Sequence, residues 1–265
     1  MPLIDILSTK PNEYLFLPKD SQWIADSVDQ KSDVAAIQKL FEPDWLKAEE
    51  MVTKTASGRG LVYFFRAFDE DCVLRHYYRG GLIAKISKDK FIFKELTKTR
   101  PFQELTLLAG LYAAGLNVPK PIAARLTRSG VNYVADIITG AIPRTQELHR
   151  QLQQKPIEQE VWLNIGAVLR TMHNLQACHY DINVKNILLQ EPIRTEHSPS
   201  ENQKVSIHLL DFDGCKLREG DNWKSTNLNR FKRSLEKQKL KYAAYYYEET
   251  NWAWIEQGYL ETLDI

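Results

Sequence analysis

Four polar residues in the second half of the chain have the types and the order that phosphoryl transfer requires. His179 and Asp181 form a His-x-Asp triplet, Asn186 follows the aspartate by five positions, and Asp211 comes after a later apolar run. In phosphoryl transfer, one carboxylate accepts or orients the proton of the acceptor hydroxyl, while an amide oxygen and a second carboxylate hold Mg²⁺ against the nucleotide phosphates. The spacing of these residues fits that task.

Each part of this constellation has a simpler explanation when it is taken alone. A His-x-Asp triplet occurs by chance in many proteins, and an aspartate such as Asp211 at the end of an apolar strand can cap the following turn. The two parts occur here in a fixed order, after a helical segment and downstream of a strand-rich half. This order favours the functional interpretation.

Suitable elements stand on both sides of these residues. Apolar residues at helical spacing predict a core helix over residues 158–175, directly before the triplet. Two apolar runs, 187–189 and 205–210, predict short strands on either side of a polar insertion. Residues 223–249 are helix-compatible and rich in lysine, arginine and tyrosine. A rigid loop between a helix and a strand can place an aspartate and an asparagine close together.

The first half of the chain is predicted to be mainly sheet. Runs 61–66 and 72–78, separated by a turn-prone acidic segment, predict a β-hairpin, and residues 131–138 predict another strand. Residues 101–114 predict an amphipathic helix. Its apolar face is expected to contain Phe102, Leu105, Ala109 and Tyr112.

Length and charge limit the classes of partner. A chain of 265 residues has room for one large domain or two lobes with a real core. Lys and Arg total 35 against 34 Asp and Glu, so the formal net charge of +1 lacks the global basic signal of many nucleic-acid binders. We therefore expect no nucleic-acid partner, and any basic surface must be local.

The cysteines and the apolar segments indicate the compartment. Three widely spaced cysteines without a Cys-x-x-Cys motif argue against a disulfide framework or a zinc site, and favour a reducing compartment. The first residues lack the basic start and apolar core of a signal peptide, and no segment approaches the ~18 apolar residues of a membrane span. We expect a cytosolic protein, or one on the cytosolic face of a membrane.

The segments that carry the chemistry resemble a known group of enzymes. His179 to Asn186 resembles the catalytic loop of protein-kinase-like enzymes, and Asp211-Phe-Asp resembles their metal-binding motif. The resemblance narrows to the bacterial lipopolysaccharide-core kinases of the Kdo/WaaP family, and among them to the 3-deoxy-D-manno-octulosonic acid (Kdo) kinases. It extends from about Thr55 to Lys237. The other segments that carry it are Gly58–Gly60, Val73–Gly81, Thr99–Glu104, Leu209–Gly214 and Trp223–Leu235.

This resemblance implies an α+β, bilobal protein-kinase-like fold. Residues 51–140 would form a strand-rich N-lobe that binds nucleotide, with one helix. Residues 141–265 would form a compact, mainly helical C-lobe with the catalytic loop, metal site and acceptor site. Residues 1–50 would be an N-terminal extension that packs on the kinase domain.

The resemblance also implies an activity. ATP and Mg²⁺ would be the cofactors, and the 4-hydroxyl of Kdo on a Kdo-bearing lipid A precursor would be the acceptor. The protein would lie peripherally on the cytoplasmic face of the bacterial inner membrane, in contact with its anionic surface and with no obligate protein partner. Two alternatives stay open: a kinase for heptose or another core sugar, and a non-catalytic nucleotide-binding protein with this fold. A protein kinase is disfavoured because no Ala-Pro-Glu motif follows Asp211.

The roles in the second half follow from the same resemblance. Asp181 would be the catalytic base, and Asn186 and Asp211 would be the Mg²⁺ ligands. His179 would be a buried scaffold for the loop rather than a proton carrier. Lys185 would neutralise charge that develops on the transferred phosphoryl group, or it is an ordinary exposed loop lysine.

In the first half, Gly58 and Gly60 would belong to a shortened loop that covers the phosphates, or to a plain hairpin turn. The third glycine of a Gly-x-Gly-x-x-Gly motif is absent, because Tyr63 occupies its place. The strand period of two places Val73 and Arg75 on one face, so Val73 would touch adenine and Arg75 would reach the phosphates.

Arg75 occupies the place where protein kinases have lysine, and the two side chains differ in reach and geometry. Glu104, on the predicted amphipathic helix, would pair with Arg75, or it is a solvent-exposed helix residue. The backbone of Asp136 to Ile138 would form the hinge that meets adenine.

Two local basic runs stand out against the neutral total. Residues 85–100 contain six basic and two acidic residues, and residues 224–241 contain seven basic residues and one acidic residue. Such runs are often solvated helix faces. The alternative is a surface that contacts an anionic membrane, and the apolar residues interleaved with the first run, from residue 82 onward, suit such contact. Arg230 and Arg233 could bind the Kdo carboxylate or lipid phosphates, or they are helix-surface charges.

Overall fold

A computed structural model describes residues 3–19, 21, 23, 30–57, 60–79, 88–192 and 204–262 of the chain. The chain divides into two compact units. The first contains Met1–Gly110 and Lys120–Ala141, and the second contains Leu111–Pro119 and Ile142–Ile265. Among the described helices, none has both the length and the apolar composition needed to span a bilayer.

The first unit is built on an antiparallel sheet. Its strands are β1 (Ile4–Lys10), β2 (Glu13–Pro18), β3 (Val52–Ser57), β4 (Leu61–Ala67), β5 (Glu70–His76), β6 (Phe91–Ile92), β7 (Pro121–Ser129) and β8 (Asn132–Gly140). The strand order is β1-β2-β7-β8-β5-β4-β3, and β6 pairs with β8. Its helices are α1 (Gln30–Lys39), α2 (Pro43–Ala48) and α3 (Arg100–Ala113), whose last three residues belong to the second unit.

The predicted hairpin is confirmed as β4 and β5, which pair from Val62 with Arg75 to Ala67 with Glu70. Side chains alternate along β5, so Cys72 and Leu74 enter a core cluster that also contains residues of α1 and α2. The opposite face of β5 carries Val73 and Arg75. The strands β1 and β2 were not evident from the sequence, and they extend the sheet beyond β7.

The predicted apolar face of α3 is correct at Leu105 and wrong at Tyr112. Tyr112 is 47% exposed, whereas Leu105, Leu108 and Leu111 are buried. The buried face also contains the carboxyl group of Glu104, which is only 3% exposed because it bonds Arg75 of β5 and Tyr77, the residue that follows this strand. The buried face therefore follows Leu105, Leu108 and Leu111 and also includes an acidic residue.

The second unit is mainly helical, with two small sheets. Its elements are β9 (Thr145–Glu147), α4 (Leu148–Gln154), α5 (Gln159–Asn174), β10 (Ala177–Cys178), β11 (Ile187–Gln190), β12 (Ser206–Leu209), β13 (Lys216–Leu217), α6 (Lys224–Lys241) and α7 (Glu249–Glu261). The core helix and the two strands that follow the His-x-Asp triplet are confirmed as α5, β11 and β12. In the helix-compatible segment 223–249, α6 ends at Lys241 and α7 begins at Glu249.

Two glycines allow α5 and α7 to pack at short distance. A Cβ atom on Gly166 would lie 2.1 Å from the carbonyl oxygen of Ile255, and one on Gly258 would lie 2.0 Å from that of Leu163. Both obstacles are backbone atoms, which cannot move away by a change of rotamer. The absence of a side chain at each position is therefore a condition of this helix pair.

We expect Gly258→Ala to lower the free energy of unfolding by about 3 kcal/mol, because the helices must move apart and lose core packing. Gly110→Ala in α3 is the matched control, since its Cβ would lie 3.7 Å from Leu3 in ordinary contact. Alanine favours a helix over glycine by about 1 kcal/mol. Urea unfolding of both variants checks this; equal stability of the two would contradict the packing argument.

Candidate active site

The loop that carries Asp181 is stabilised by its own asparagines. The main-chain oxygen of Asp181 accepts a hydrogen bond from Nδ2 of Asn183 at 2.8 Å and another from Nδ2 of Asn186 at 2.9 Å. Asn183 also accepts a hydrogen bond from the main-chain N–H of Lys185 at 2.9 Å, and so caps the 3₁₀ turn Val184–Asn186. The loop backbone is thus fixed while Asp181 itself is exposed, which suits a base that must reach a substrate.

Asn186 and Asp211 lie at the same end of the β11–β12 hairpin. Ile187 pairs with Leu209, and the next residues are joined because the N–H of Leu210 donates to the oxygen of Asn186 at 2.9 Å. Since Nδ2 of Asn186 is used within the loop, Oδ1 is its atom suited to a cation. Asp211 has a φ of 62°, a left-handed conformation that is costly for a residue with a side chain and is concentrated at functional sites.

This pair of oxygen donors fits Mg²⁺, which takes one or two protein ligands and completes its octahedron with phosphate oxygens and water. Within the described ranges, no three His, Cys, Asp or Glu side chains cluster as a metal site. A cation held by Asn186 and Asp211 would complete its coordination with phosphate oxygens and water. The metal roles of both residues stay predictions.

His179 has the scaffold position expected of it. It is fully buried, its Nε2 donates to the carbonyl oxygen of Leu210 at 2.8 Å, and its ring centre lies 4.8 Å from that of Phe212. Burial lowers the pKa of His179, so the imidazole stays neutral. His179 thus connects the Asp181 loop to the strand end that leads into Asp211.

A buried chain of hydrogen bonds reaches the same loop from behind. Nδ2 of Asn227 in α6 donates to the carbonyl oxygen of His179 at 2.8 Å, and Oδ1 of Asn227 accepts from Nε2 of His173 at 3.0 Å. His173 therefore has Nδ1 free of hydrogen, and Nδ1 accepts from the Tyr259 hydroxyl at 2.8 Å. In these three hydrogen bonds each donor meets an acceptor, so Asn227, His173 and Tyr259 together hold the main chain at His179 in place.

This chain predicts a pH dependence of stability. Burial lowers the pKa of His173 to about 4, while the same side chain in the unfolded protein titrates near 6.5. The unfolded state therefore binds more protons between these values, and the stability present above pH 6.5 declines as pH falls toward 4. His173 alone contributes about 3 kcal/mol to this decline.

Urea midpoints measured from about pH 7 to pH 4.5 test this dependence. Glutamine at position 173 can still donate one hydrogen bond and accept another, but it does not titrate. We therefore expect His173→Gln to show a flatter pH profile of stability than the native chain. An identical profile for the two proteins would show that other groups control the decline.

In the first unit, Arg75 and Glu104 form the predicted ion pair. Nη2 of Arg75 lies 2.6 Å from Oε1 of Glu104, and Oε2 of Glu104 accepts from the Tyr77 hydroxyl at 2.7 Å. The guanidinium also lies over the Tyr77 ring, 4.8 Å from its centre. Glu104 is therefore not a solvent-exposed helix residue; it is a buried carboxylate that holds Arg75 in one position on β5.

The other residues expected near the nucleotide have mixed outcomes. Val73 is half-buried on the same face of β5 as Arg75, so its contact with adenine stays a prediction. Gly58 lies outside the described residues. Gly60 is described, and a Cβ atom there would lie 1.9 Å from the Tyr78 ring. Gly60 thus leaves room for an aromatic ring, and its role beside the phosphates stays a prediction.

The structure does not support the expectation that Asp136 to Ile138 meets adenine. These residues lie inside β8, which is paired with β5 on one side and β7 on the other, so their backbone groups belong to the sheet. Ile138 packs with Leu74 in the core cluster, on the face opposite Arg75. Asp136 bonds His76 at 2.7 Å and Arg125 at 2.9 Å.

The strand end explains this error. The strand β8 continues to Gly140, two residues beyond its predicted end. The N–H of Gly140 donates to the carbonyl oxygen of Lys120 at 2.8 Å.

The basic residues near the loop are also located. Lys185 is exposed on the 3₁₀ turn and lies close enough to His149 to contribute, after burial, to the lowered pKa of that histidine. Arg230 and Arg233 are exposed on α6. Ser234 of the same helix accepts a hydrogen bond from the N–H of Val184 at 3.1 Å. The roles of the three basic residues stay predictions.

Several residues that support the site were missed in the sequence. Tyr77 follows Arg75 by two positions, so the strand period could have placed it on the same face. Asn183 stands immediately before the 3₁₀ turn, where asparagine is a common capping residue. Asn227 and Ser234 have no local signal, since each meets the loop across about fifty residues of sequence.

The chain is similar to known proteins in sequence and in fold. The family model described as the lipopolysaccharide kinase (Kdo/WaaP) family matches residues 43–259. The chain is 41% identical to a 3-deoxy-D-manno-octulosonic acid kinase of Haemophilus influenzae, over 91% of this chain and 97% of the relative. It is 38% identical to one of Actinobacillus succinogenes, over 83% and 90% of the two chains.

A solved structure, "WaaP in complex with acyl carrier protein", is similar with a TM-score of 0.54 and 13% identity, over 84% of this chain and 86% of that one. The predicted α+β, protein-kinase-like fold is confirmed.

Proposed function

Since the chain belongs to the lipopolysaccharide kinase (Kdo/WaaP) family, we propose that it transfers the γ-phosphoryl group of ATP to the 4-hydroxyl of Kdo on a lipid A precursor. The coarser statement, a kinase that acts on Kdo in lipopolysaccharide core biosynthesis, follows from the family and from relatives that the chain matches over nearly their full length. The position of the hydroxyl and the form of the acceptor belong to the proposal.

The observation that carries the proposal is the arrangement in the second unit. An exposed aspartate stands on a loop whose backbone is fixed, next to an asparagine and a second aspartate at one end of a hairpin. A carboxylate in such a loop can take the proton of an acceptor hydroxyl, and catalysis of phosphoryl transfer consists largely of positioning and charge stabilisation.

The residues divide the work as follows. Asp181 accepts the proton as the Kdo oxygen bonds to the γ-phosphorus, the bond to the bridging oxygen breaks, and ADP leaves. Lys185 compensates negative charge on the transferred group. Arg75, held by Glu104 and Tyr77, contacts the nucleotide phosphates, while Val73 and Gly60 line the nucleotide.

Mg²⁺ would be held by Asn186 and Asp211 and would neutralise charge on the phosphates. The acceptor is a lipid, so we propose that the protein acts as a peripheral protein on the cytoplasmic face of the inner membrane.

Mass spectrometry after incubation with ATP, Mg²⁺ and a Kdo-bearing lipid A precursor tests the proposal. We expect a mass gain of one phosphate, located on the Kdo 4-position by fragmentation. The same incubation with an acceptor that ends in heptose should leave the acceptor unchanged. Transfer to heptose alone would assign another core-sugar kinase, and ATP binding without transfer to either acceptor would assign a non-catalytic protein.

A further inference from the structure

The basic residues of α6 form two sets that differ in their partners. Arg230, Arg233, Lys237 and Lys241 follow one another at spacings of three and four residues, which places them on one side of the helix. We call these four residues the exposed α6 stripe. All four are exposed, and none forms an ion pair with any carboxylate in the part of the chain that the structure describes.

The second set lies on the opposite side of α6 and is neutralised. The ammonium of Lys232 lies 2.7 Å from Glu249, and that of Lys239 lies 2.7 Å from Glu248. Glu236, which is the acidic residue of α6, acts together with Glu249 to raise the pKa of Lys232. The acidic residues near this helix therefore compensate one side of it and leave the charge of the stripe uncompensated.

An apolar side chain lies among the cations of the stripe. Leu240 is 89% exposed and directly precedes Lys241 in the sequence. Exposure of a leucine among cations is unfavourable in water, but it suits a surface where apolar groups enter the acyl boundary and cations meet phosphates. The combination of four cations with an exposed leucine therefore favours a lipid surface as the partner.

The stripe borders on the catalytic loop. Ser234, which accepts the hydrogen bond from Val184, lies one helical turn from both Arg230 and Lys237. The exposed carboxyl group of Asp181 belongs to the same loop. A flat anionic surface that covers the stripe would therefore also lie close to the loop.

We propose that the exposed α6 stripe docks on the anionic headgroup layer of a lipid bilayer and so holds the Asp181 loop at the lipid surface. From Arg230 to Lys241 the helix rises about 16 Å, so the stripe extends past the reach of a single phosphate group. That this position presents the loop to a lipid-linked acceptor rests on the function proposed above; the docking itself does not.

Co-sedimentation with vesicles that contain no acceptor tests the docking independently of catalysis. We expect the protein to bind phosphatidylcholine vesicles that include phosphatidylglycerol, and not vesicles of phosphatidylcholine alone. The double variant Lys237→Gln/Lys241→Gln, the stripe variant, should bind about 30-fold more weakly, since each cation near an anionic surface strengthens binding about fivefold. Raising the ionic strength from about 0.1 M to about 1 M should weaken native binding in the same sense.

The matched control is Lys232→Gln/Lys239→Gln, which removes the same charge from the other side of α6. We expect it to bind vesicles within about threefold of the native protein, a smaller effect than in the stripe variant. Equal losses of vesicle affinity in both double variants would mean that net charge alone drives binding. No loss in either variant would mean that the stripe does not bind lipid, and would favour an acidic protein as its partner. Either result overturns the proposal.

Failure of the proposed function can be distinguished from failure of the docking proposal. Both double variants should phosphorylate a deacylated, water-soluble Kdo acceptor at the native rate, whereas the stripe variant should lose activity on the acceptor in vesicles. Inactivity of the native protein on both acceptors would refute the kinase assignment, while the vesicle binding would still decide the docking.

Discussion

Replacing Asp181 by asparagine is expected to lower kcat for Kdo phosphorylation by about 10³-fold, within the range for loss of a general base. Asparagine has nearly the same shape but cannot accept the proton of the acceptor hydroxyl. The loop should keep its conformation, because Asn183 and Asn186 donate to the main-chain oxygen of residue 181, which the substitution leaves in place. The measurement is kcat with saturating ATP and acceptor.

The control is Asp221→Asn, which also removes an exposed carboxylate from the second unit. Asp221 forms an ion pair with Lys224 at the start of α6, and it lies 40 positions after Asp181 in the sequence. We expect this variant to keep kcat within about twofold, since the ion pair of Asp221 is exposed to solvent and contributes little to stability. If Asp181→Asn retained full activity with an unchanged melting temperature, the assignment of Asp181 as the base would be wrong.

Replacing Arg75 by alanine is expected to reduce both stability and activity. The carboxyl group of Glu104, 3% exposed, would keep the Tyr77 hydroxyl but lose its charged partner, at a cost of about 3 kcal/mol in the free energy of unfolding. The proposed contact of Arg75 with the nucleotide phosphates would also be lost, which should lower kcat/KM for ATP by about 10²-fold. Urea unfolding and steady-state kinetics measure the two effects.

A double variant separates the two effects. In Arg75→Ala/Glu104→Gln no unpaired charge stays buried, so most of the lost stability should return while kcat/KM for ATP stays low. Arg75→Lys should lie between the native protein and Arg75→Ala in activity, because lysine keeps the charge and loses the guanidinium geometry. Full recovery of activity in the double variant would show that Arg75 only neutralises Glu104 and does not contact the nucleotide.

The sequence patterns that predicted the site lie within short segments, whose local geometry alone determines the positions of the residues. His179, Asp181 and Asn186 lie within eight consecutive residues, so the geometry of one loop and its 3₁₀ turn determines where they stand. The same holds for the pairing of β4 with β5, which a short turn connects. Arg75 and Glu104 were paired correctly because the resemblance supplied the contact, since 29 positions separate them.

The errors came from positions where register or packing decides. The end of β8 lies two residues beyond the predicted strand, and alternation along a strand then determines which side chains share the face of Arg75. In α3, the buried face includes Glu104, because Arg75 and Tyr77 on another element receive its carboxyl group. No periodicity of apolar residues can show a buried acidic group whose partners lie elsewhere in the chain.

The sequence by itself indicated the family, the fold class and the loop with the candidate catalytic residues. These features depend on residue types at short spacings, which can be read directly along the chain. Only the tertiary structure showed that Asn227 and His173 support the loop from α6 and α5. It also sorted the cations of α6 into a compensated side and an exposed stripe. Both outcomes depend on which helices pack together, and that contact is decided by the whole core.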